Sequence, residues 1–281
     1  MQHRASDAAI ARSATASGAA PLFTIEGLAK TFRTRQGESV RALDDVSLDI
    51  AAGEFLSIVG PSGCGKSTLL KILAGLIPAS AGSIRYRGER VSKPRDDIGV
   101  VFQEATLLPW LSVLRNVLVP ADVARMRRNK LQPRAFELLD LVGLTGFHDK
   151  YPQELSGGMQ QRVAICRALL RQPAVLLMDE PFGALDALTR EQMNLELQRI
   201  WSTQHNTVVF ITHSIPEAVL LSDRVVVMSR RPGRILDVLT LDLPRPRTLD
   251  MVNTEAFGAY AQQARRLLDG SDVPSSRRHF L

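Results

Sequence analysis

Cysteine is scarce in this sequence: the 281 residues include only Cys64 and Cys166. Two cysteines cannot build the disulfide framework that stabilises small secreted domains. A chain of this length can instead bury a sizeable hydrophobic core without such crosslinks. The sequence therefore favours a protein that works in a reducing compartment.

Long apolar runs are also missing. No stretch reaches the ~18 uncharged apolar residues that a membrane-spanning helix needs, and the run after Leu107 is interrupted by Arg115. The first twenty residues are rich in alanine and serine, but they carry Arg4 and Arg12 and lack the continuous apolar core of a secretory signal. We expect residues 1–20 to form a disordered tail.

The net charge is +6, and arginines cluster within residues 125–128, 230–234 and 245–247. Such clusters are typical of a solvated basic surface, and also of surfaces that bind nucleic acid or anionic membranes. Charge alone does not decide between these functions.

The order of the apolar patterns predicts an α/β fold with a mainly parallel sheet. Residues 22–50 alternate as strands do, and "FLSIVG" reads as a strand buried on both faces. The pattern is mostly helical from about 104 to 172, and strands return as "AVLLM", "TVVFIT" and "RVVVMS". This order indicates a parallel-sheet core with an inserted helical subdomain. We expect a short extension, residues 231–281, to contain an amphipathic helix through Phe257, Tyr260, Ala264 and Leu268.

The segment "GPSGCGKST" matches the P-loop pattern for phosphate binding. Its glycines let successive backbone N–H groups curl around phosphate oxygens, and the helix that follows points its positive end at the same anion. Lys66 supplies a cation for the outer phosphates, and the Ser67 hydroxyl can ligate Mg²⁺. The predicted nucleotide-binding residues are Gly60, Pro61, Ser62, Gly63, Cys64, Gly65, Lys66, Ser67 and Thr68. Since thiolates are stabilised near helix N-termini, we also expect Cys64 to be a reactive thiol.

An acidic pair, Asp179 and Glu180, directly follows the apolar strand "AVLLM". Carboxylates at the C-terminal end of a parallel strand are expected beside the P-loop. Asp179 would hold Mg²⁺, and Glu180 would polarise the attacking water. A pair of acids after a strand often only caps the next helix, so this prediction depends on the P-loop.

A second phosphate-site pattern, "LSGGM", occupies residues 155–159. Ser156 can cap a helix that begins near Met159, and Gly157 and Gly158 leave N–H groups bare for a phosphate. Together with the P-loop, this pattern resembles the ATP-binding cassette (ABC) family. The resemblance runs from about Leu22 to Met228, and the motifs follow the family's order: P-loop, Gln103 of the Q-loop, signature "LSGGM", "LLMDE", D-loop "ALD" and switch histidine His213. The fifth signature residue, Met159, departs from the commoner glutamine.

The resemblance implies a RecA-like P-loop NTPase core, an N-terminal antiparallel β subdomain and an inserted helical subdomain within residues 21–230. It also implies ATP and Mg²⁺ as cofactors, with Phe32 stacking on adenine. Gln103 would sense Mg²⁺ and the lytic water, His213 would contact the γ-phosphate, and Asp186 would link two sites. In the family, Ser156, Gly157 and Gly158 close over ATP held by a second copy, which makes a head-to-tail dimer.

The resemblance further implies a transport role. The segment "LLPW", with Leu107, Leu108 and Trp110, lies where the family docks the coupling helix of a permease. Because no membrane span is present in the sequence, the permease would be a separate subunit, and a solute-binding protein would act through it. "LLPW", "LSGGMQQR" and "MSRRPGRI" resemble the ATPases of nitrate, sulfonate and taurine importers. We expect a peripheral protein on the cytoplasmic face of a bacterial inner membrane, with no nucleic-acid partner.

Two alternatives stay open at this point. The first is an ABC-type ATPase that acts on nucleic acid or the ribosome, which the basic charge favours. Chromosome-type members separate the P-loop from the acidic pair by long coiled coils, and translation-type members carry two cassettes, whereas this chain shows neither feature. The second alternative is a P-loop kinase, which would lack the "LSGG" signature.

Overall fold

The computed structural model describes residues 20–270, which form two compact units. One unit comprises residues 20–95 and 209–270, and the other is Asp96–Val208. The predicted disordered tail falls outside the described residues except for Ala20, and it stays a prediction. In the part that the structure describes, no helix combines the length and the apolar character needed to cross a bilayer.

The strands described are β1 (Phe23–Arg33), β2 (Ser39–Ile50), β3 (Phe55–Val59), β4 (Ala81–Tyr86), β5 (Glu89–Arg90), β6 (Ile98–Val101), β7 (Val175–Asp179), β8 (Thr207–Ile211), β9 (Arg224–Met228) and β10 (Ile235–Thr240). The α-helices are α1 (Lys66–Leu73), α2 (Val113–Val123), α3 (Arg128–Leu141), α4 (Gly157–Leu169), α5 (Ala187–Gln204), α6 (Ile215–Leu221) and α7 (Glu255–Gly270). Two short 3-10 helices, Pro152–Glu154 and Leu249–Asn253, complete the regular structure.

The first unit contains a four-stranded sheet with the order β2-β1-β4-β5, in which every pairing is antiparallel. Phe23 pairs with Ile50 and Ile25 with Leu48, and all four side chains are buried. The alternation seen in residues 22–50 therefore places one face of the sheet against the core. This sheet is the N-terminal antiparallel β subdomain that the resemblance implied.

The same unit contains a second set of paired strands, of which β3 leads into the P-loop. Strands β10, β9 and β3 are consecutive neighbours, followed by β8, whose residues from Val209 onward belong to this unit. β3 and β9 are parallel, and β9 and β10 are antiparallel. Every residue of β3, β8 and β9 is buried, as expected of strands covered on both faces.

The chain after β10 packs onto this unit through apolar side chains. Phe257 and Ala264 of α7 are buried against a cluster that includes Val219 and Leu239. Tyr260 and Leu268 pack partly buried on the same cluster, since they follow at helical spacing. The predicted amphipathic helix is confirmed. Its apolar face packs on α6, β9 and β10 and does not face solvent.

Two arginines fasten this C-terminal segment to the end of α6. Arg247 is 1% exposed and donates hydrogen bonds to the carbonyls of Val219 (2.7 Å) and Ser222 (2.6 Å). Arg245 pairs with Asp223 at 2.9 Å. Burial lowers the pKa of Arg247 to about 10, because desolvation disfavours its charged form. The interpretation of residues 245–247 as a solvated basic cluster is therefore wrong.

The second unit combines two parallel strands with a set of helices. β6 and β7 pair in parallel, with Ile98 opposite Val175, and β8 begins in this unit next to β7. Between β6 and β7 the chain forms α2, α3 and α4, which pack on one another. Their shared core includes the buried residues Val117, Leu138 and Val163. Helices therefore occupy the region from about 104 to 172, as the pattern predicted.

Candidate active site

The residues predicted for the site fall in both units. The P-loop, Phe32 and His213 belong to the first unit, and Gln103, the signature, the acidic pair and Asp186 belong to the second.

The P-loop joins β3 to α1 and combines a packed inner part with an open outer part. Gly63 and Gly65 have φ angles of +72° and +112°, which residues with a Cβ rarely adopt. A Cβ at Gly65 would lie 2.7 Å from the Ala42 carbonyl oxygen. At exposed Gly63, no atom of the described residues other than its two chain neighbours lies within 4 Å of the Cβ position. The backbone around Gly63 is thus accessible to an anion, whereas Gly65 anchors the loop.

Lys66 is the first residue of α1, and its buried ammonium lies over the loop. Nζ donates to the carbonyls of Gly60 (2.7 Å) and Pro61 (3.0 Å). Ser67 and Thr68 follow in the first turn, half-buried. The cation, the hydroxyls and the positive end of the helix are therefore concentrated at one short segment, which is the arrangement that binds phosphate.

Cys64 departs from the sequence-based expectation. Its side chain is buried, and desolvation raises the pKa of the thiol. The Lys66 ammonium, 4.0 Å from Sγ, acts in the opposite direction but more weakly. The expectation of a stabilised, reactive thiolate is therefore wrong, because burial outweighs the positive surroundings.

We expect both cysteines to react slowly with Ellman's reagent in the native protein at neutral pH. Cys166 is fully buried, and burial raises its pKa as well. A raised pKa leaves less thiolate at neutral pH, so the reaction should accelerate only as the pH rises towards the shifted pKa. The check is to count reactive thiols before and after denaturation. We expect both cysteines to react readily only after denaturation. Rapid labelling of one thiol in the native protein would contradict it.

Phe32 and His213 are both exposed. This excludes the alternative that they are ordinary residues of the hydrophobic core. Phe32 lies near the end of β1 with 40% of its surface exposed, and the Lys30 ammonium lies 5.1 Å from its ring centroid. His213 follows the buried strand β8 and precedes α6. The Ser214 amide donates to Thr212 Oγ1 at 2.9 Å, which fixes the backbone on both sides of the histidine.

The acidic pair ends the buried strand β7. Asp179 is the last residue of the strand and is buried, and Glu180 is half-buried. Glu180 has a φ of +45°, a left-handed conformation that is unfavourable for a residue with a side chain. Strained residues of this kind cluster at functional sites, so the backbone supports a chemical role for Glu180.

The signature opens α4, and its two glycines serve different purposes. Ser156 is the N-cap, and its Oγ accepts a hydrogen bond from the Met159 amide at 3.3 Å. The helix begins at Gly157, two residues earlier than predicted. A Cβ at Gly158 would lie 2.8 Å from Leu185 Cδ2. At exposed Gly157, no atom of the described residues lies within 4 Å of the Cβ position, apart from its chain neighbours and the backbone of its own helix. Gly158 therefore permits close packing on the D-loop, and Gly157 leaves the helix start open to a ligand.

Asp186 has a structural task that the sequence did not reveal. It is the N-cap of α5, and its carboxylate accepts hydrogen bonds from the Thr189 amide (3.0 Å) and Thr189 Oγ1 (2.7 Å). These bonds lower its pKa, since they stabilise the charged form. The capping bonds fix the end of the D-loop to the start of α5.

The Q-loop is tethered to the signature helix by two residues that sequence reasoning missed. Gln103 is exposed. On α4, Gln161 Nε2 donates to the Phe102 carbonyl at 2.8 Å, and the Arg167 guanidinium donates to the carbonyls of Ala105 (2.8 Å) and Thr106 (3.0 Å). Thr106 has a φ of +44°, which is strained for a β-branched residue. These contacts join residues far apart in sequence, so no local pattern could have identified them.

We expect Arg167→Ala to destabilise the protein by about 2 kcal/mol, because charge-assisted hydrogen bonds to three Q-loop acceptors are lost. Amide hydrogen exchange should accelerate at residues 102–106. Arg171→Ala is the control, since Arg171 forms a 3.8 Å ion pair with exposed Asp96 and exposed ion pairs contribute little to stability. Unchanged exchange at the Q-loop in the Arg167 variant would contradict the tether.

The segment after the Q-loop presents an exposed aromatic side chain on a rigid turn. Trp110 is 69% exposed, while Leu107 and Leu108 are half-buried. Buried Asn116 holds the turn: its Oδ1 accepts from the Leu108 amide at 2.8 Å, and its Nδ2 donates to the Leu111 carbonyl at 2.9 Å. Core packing of Trp110, the alternative to docking, is therefore excluded.

Among residues 20–270, no group of three or more His, Cys, Asp or Glu side chains is placed to hold a metal ion. Mg²⁺ in nucleotide sites is commonly held by one or two protein groups, with the phosphates and water supplying the other oxygens. The hydroxyl, amide and carboxylate of Ser67, Gln103 and Asp179 are oxygen donors suited to that mode of binding.

Comparison with known proteins identifies the class. Residues 43–183 match the family described as ABC transporter. An aliphatic sulfonates import ATP-binding protein of Bacillus cereus is 47% identical over 225 residues, covering 80% of this chain and 88% of that protein. A taurine import ATP-binding protein of Rhizobium johnstonii is 53% identical over 214 residues, covering 76% and 82%. A solved dimeric ATP-binding cassette in a post-hydrolysis state, bound to ADP and phosphate, superposes with a TM-score of 0.70 at 33% identity, covering 79% of this chain and 100% of that one.

The chain belongs to the ABC transporter family. It is an ATP-binding ATPase with an α/β, P-loop NTPase fold, and the resemblance found in the sequence is confirmed.

Proposed function

We propose that this chain hydrolyses MgATP in a head-to-tail dimer of two copies and thereby drives uptake of a small solute through a separate permease. The observation that carries the proposal is the presence of two open half-sites in one chain. One is the accessible P-loop backbone around Gly63, and the other is the open start of α4 at Gly157. The similarity to a dimeric cassette bound to ADP and phosphate supports pairing of the two half-sites between copies.

In the proposed mechanism the first unit binds the nucleotide. Phe32 stacks on the adenine ring, and the P-loop amides with Lys66 hold the phosphates. Ser67, Gln103 and Asp179 would hold Mg²⁺, which would supply positive charge to the phosphates.

Hydrolysis then depends on a proton acceptor and on groups that orient water. Glu180 accepts a proton from the attacking water as the water approaches the γ-phosphorus in line with the leaving oxygen. His213 and Gln103 hold the water and the γ-phosphate in that alignment. The fixed backbone at Glu180 and around His213 favours such positioning, since both follow buried strands.

The second copy completes the site. Ser156, Gly157 and Gly158 of that copy close over the γ-phosphate, and the N-terminal end of α4 stabilises developing negative charge. Asp186 transmits the state of one site to the other. Because each copy gives and receives the same elements, the dimer has two-fold symmetry and holds two ATP molecules.

Dimer closure would be coupled to transport through the exposed turn at Trp110. An aromatic side chain held on a rigid turn suits a protein interface. We propose that this turn docks a permease at the cytoplasmic face of a bacterial inner membrane, with a solute-binding protein acting on the far side. The names of the relatives favour an aliphatic sulfonate or taurine as solute. Nitrate, which the resemblance in the sequence also implied, is the next class.

The test is capture of partners from detergent-solubilised native membranes, with tagged Glu180→Gln chain and MgATP as bait. We expect a multispan membrane protein, and Trp110→Ala bait should recover less of it. The same membrane protein, reassembled with the native chain in vesicles, should hydrolyse ATP faster with a sulfonate-loaded binding protein than without. Recovery of ribosomal proteins or nucleic acid with no membrane partner would overturn the transport proposal and leave the ATPase assignment intact.

A further inference from the structure

The loop between β9 and β10, Ser229–Arg234, lies against the P-loop; we call it the arginine loop. It is part of the segment "MSRRPGRI", whose chemistry the proposed mechanism does not use. The loop approaches the P-loop at Gly233, which is buried. A Cβ at this position would lie 2.1 Å from the Cys64 carbonyl oxygen, far inside any tolerable contact. Only glycine can occupy this position without moving the P-loop.

Gly233 is fixed from the other side by β2. Its amide donates to the Ala42 carbonyl at 2.9 Å, and its carbonyl accepts from the Asp44 amide at 3.0 Å. The Ala42 carbonyl is also the group that a Cβ at Gly65 would approach to 2.7 Å. Gly233 therefore lies between β2 and Cys64. The same part of β2 leaves no room for a side chain at Gly65.

The arginine loop is itself well braced, so it can act as a support. The Ser229 amide donates to the Arg234 carbonyl at 2.9 Å, and the Arg234 amide donates to Ser229 Oγ at 3.0 Å. Arg234 also forms an ion pair with Asp44. The end of β9, just before the arginine loop, makes a second contact with the P-loop. A Cβ at Gly60 would lie 3.1 Å from the Met228 carbonyl oxygen.

We infer that Gly233 is a positioning residue for ATP binding: the arginine loop holds the middle of the P-loop in its phosphate-binding conformation. The Cys64 carbonyl and the Gly65 N–H belong to one planar trans peptide, so they point in opposite directions. Holding the carbonyl on the Gly233 side directs the Gly65 N–H to the opposite side of the loop, where the phosphate-binding amides of a P-loop converge. This inference rests on ATP binding alone and does not depend on the transport proposal.

The test is Gly233→Ala in the full chain, with Gly258→Ala as the matched control. Gly258 lies in α7, and no atom of the described residues is within 4 Å of its Cβ position, apart from its chain neighbours and the backbone of its own helix. We expect Gly233→Ala to raise the KM for ATP about tenfold or more, since added atoms must displace backbone, with a much smaller change in kcat. Gly258→Ala should leave both constants unchanged.

The two cysteines distinguish local loosening of the P-loop from general destabilisation. Cys64 lies in the P-loop, and Cys166 lies in the second unit. If Gly233 positions the P-loop, Gly233→Ala should accelerate alkylation of Cys64 several-fold and leave Cys166 protected. Equal acceleration of both cysteines, or an unchanged KM with unchanged labelling, would overturn the inference.

Should Gly233→Ala not fold, Ser229→Ala provides the same test without added atoms. It removes the hydroxyl that braces the arginine loop. We expect a rise in KM for ATP of a few-fold and selective labelling of Cys64. A Ser229→Ala protein with native KM and native Cys64 labelling would count against the arginine loop as a support.

Discussion

Replacing Glu180 by glutamine is expected to lower ATP turnover by about 10²–10⁴-fold, the usual contribution of a general base. Glutamine keeps the size of the side chain and leaves the fold at the end of β7 unchanged, but it cannot accept a proton from water. ATP binding should be retained, and the variant should accumulate as an ATP-bound dimer because hydrolysis no longer opens it. Steady-state phosphate release and light scattering with MgATP measure the two effects.

The matched control for this variant is Glu191→Gln, which changes an exposed glutamate on α5. It should hydrolyse ATP at the native rate. Near-native turnover in the Glu180 variant would remove Glu180 from the chemistry, and loss of ATP binding would show that its role is structural instead.

Replacing Lys66 by alanine is expected to weaken ATP binding by about 10–100-fold, which corresponds to loss of one charge-assisted contact with the phosphates. The Lys66 ammonium is buried over the P-loop, and an alanine side chain cannot supply its charge. Titration with a fluorescent ATP analogue measures the change in Kd.

Lys71→Ala is the control for Lys66, because Lys71 is exposed on the same helix, α1. It should bind ATP with native affinity. If Lys66→Ala and Lys71→Ala gave the same Kd as the native chain, the P-loop assignment would fail.

Much of the fold was predictable because the relevant signals are local. Apolar runs identified β3, β7, β8 and β9, since buried strands need continuous apolar residues. The positions of Gly63 and Gly65 followed from a motif whose backbone needs positive φ angles. Element ends were less accurate, and the signature helix begins at Gly157 because Ser156 is its cap.

The features that the sequence did not reveal depend on contacts between distant segments. Arg247 belongs to an arginine cluster in the sequence, yet its guanidinium lies buried against carbonyls at the end of α6. Arg167 meets the Q-loop and Gly233 meets Cys64 for the same reason: the fold brings them together across many residues. The raised pKa of Cys64 likewise follows from packing, which no helix-terminus rule includes.

The central claim is that the signature of one copy acts on ATP held by the P-loop of another. It is tested most directly by mixing Lys66→Ala with Gly157→Asp and measuring ATP hydrolysis at an ATP concentration near the native KM, where weakened ATP binding leaves Lys66→Ala nearly inactive. Each variant alone forms dimers in which both sites are defective, whereas every mixed dimer holds one site with an intact P-loop and an intact signature. We predict that an equal mixture recovers up to about a quarter of native turnover, since half of randomly formed dimers are mixed and each has one working site. Activity no greater than the sum of the two separate variants would contradict the head-to-tail dimer.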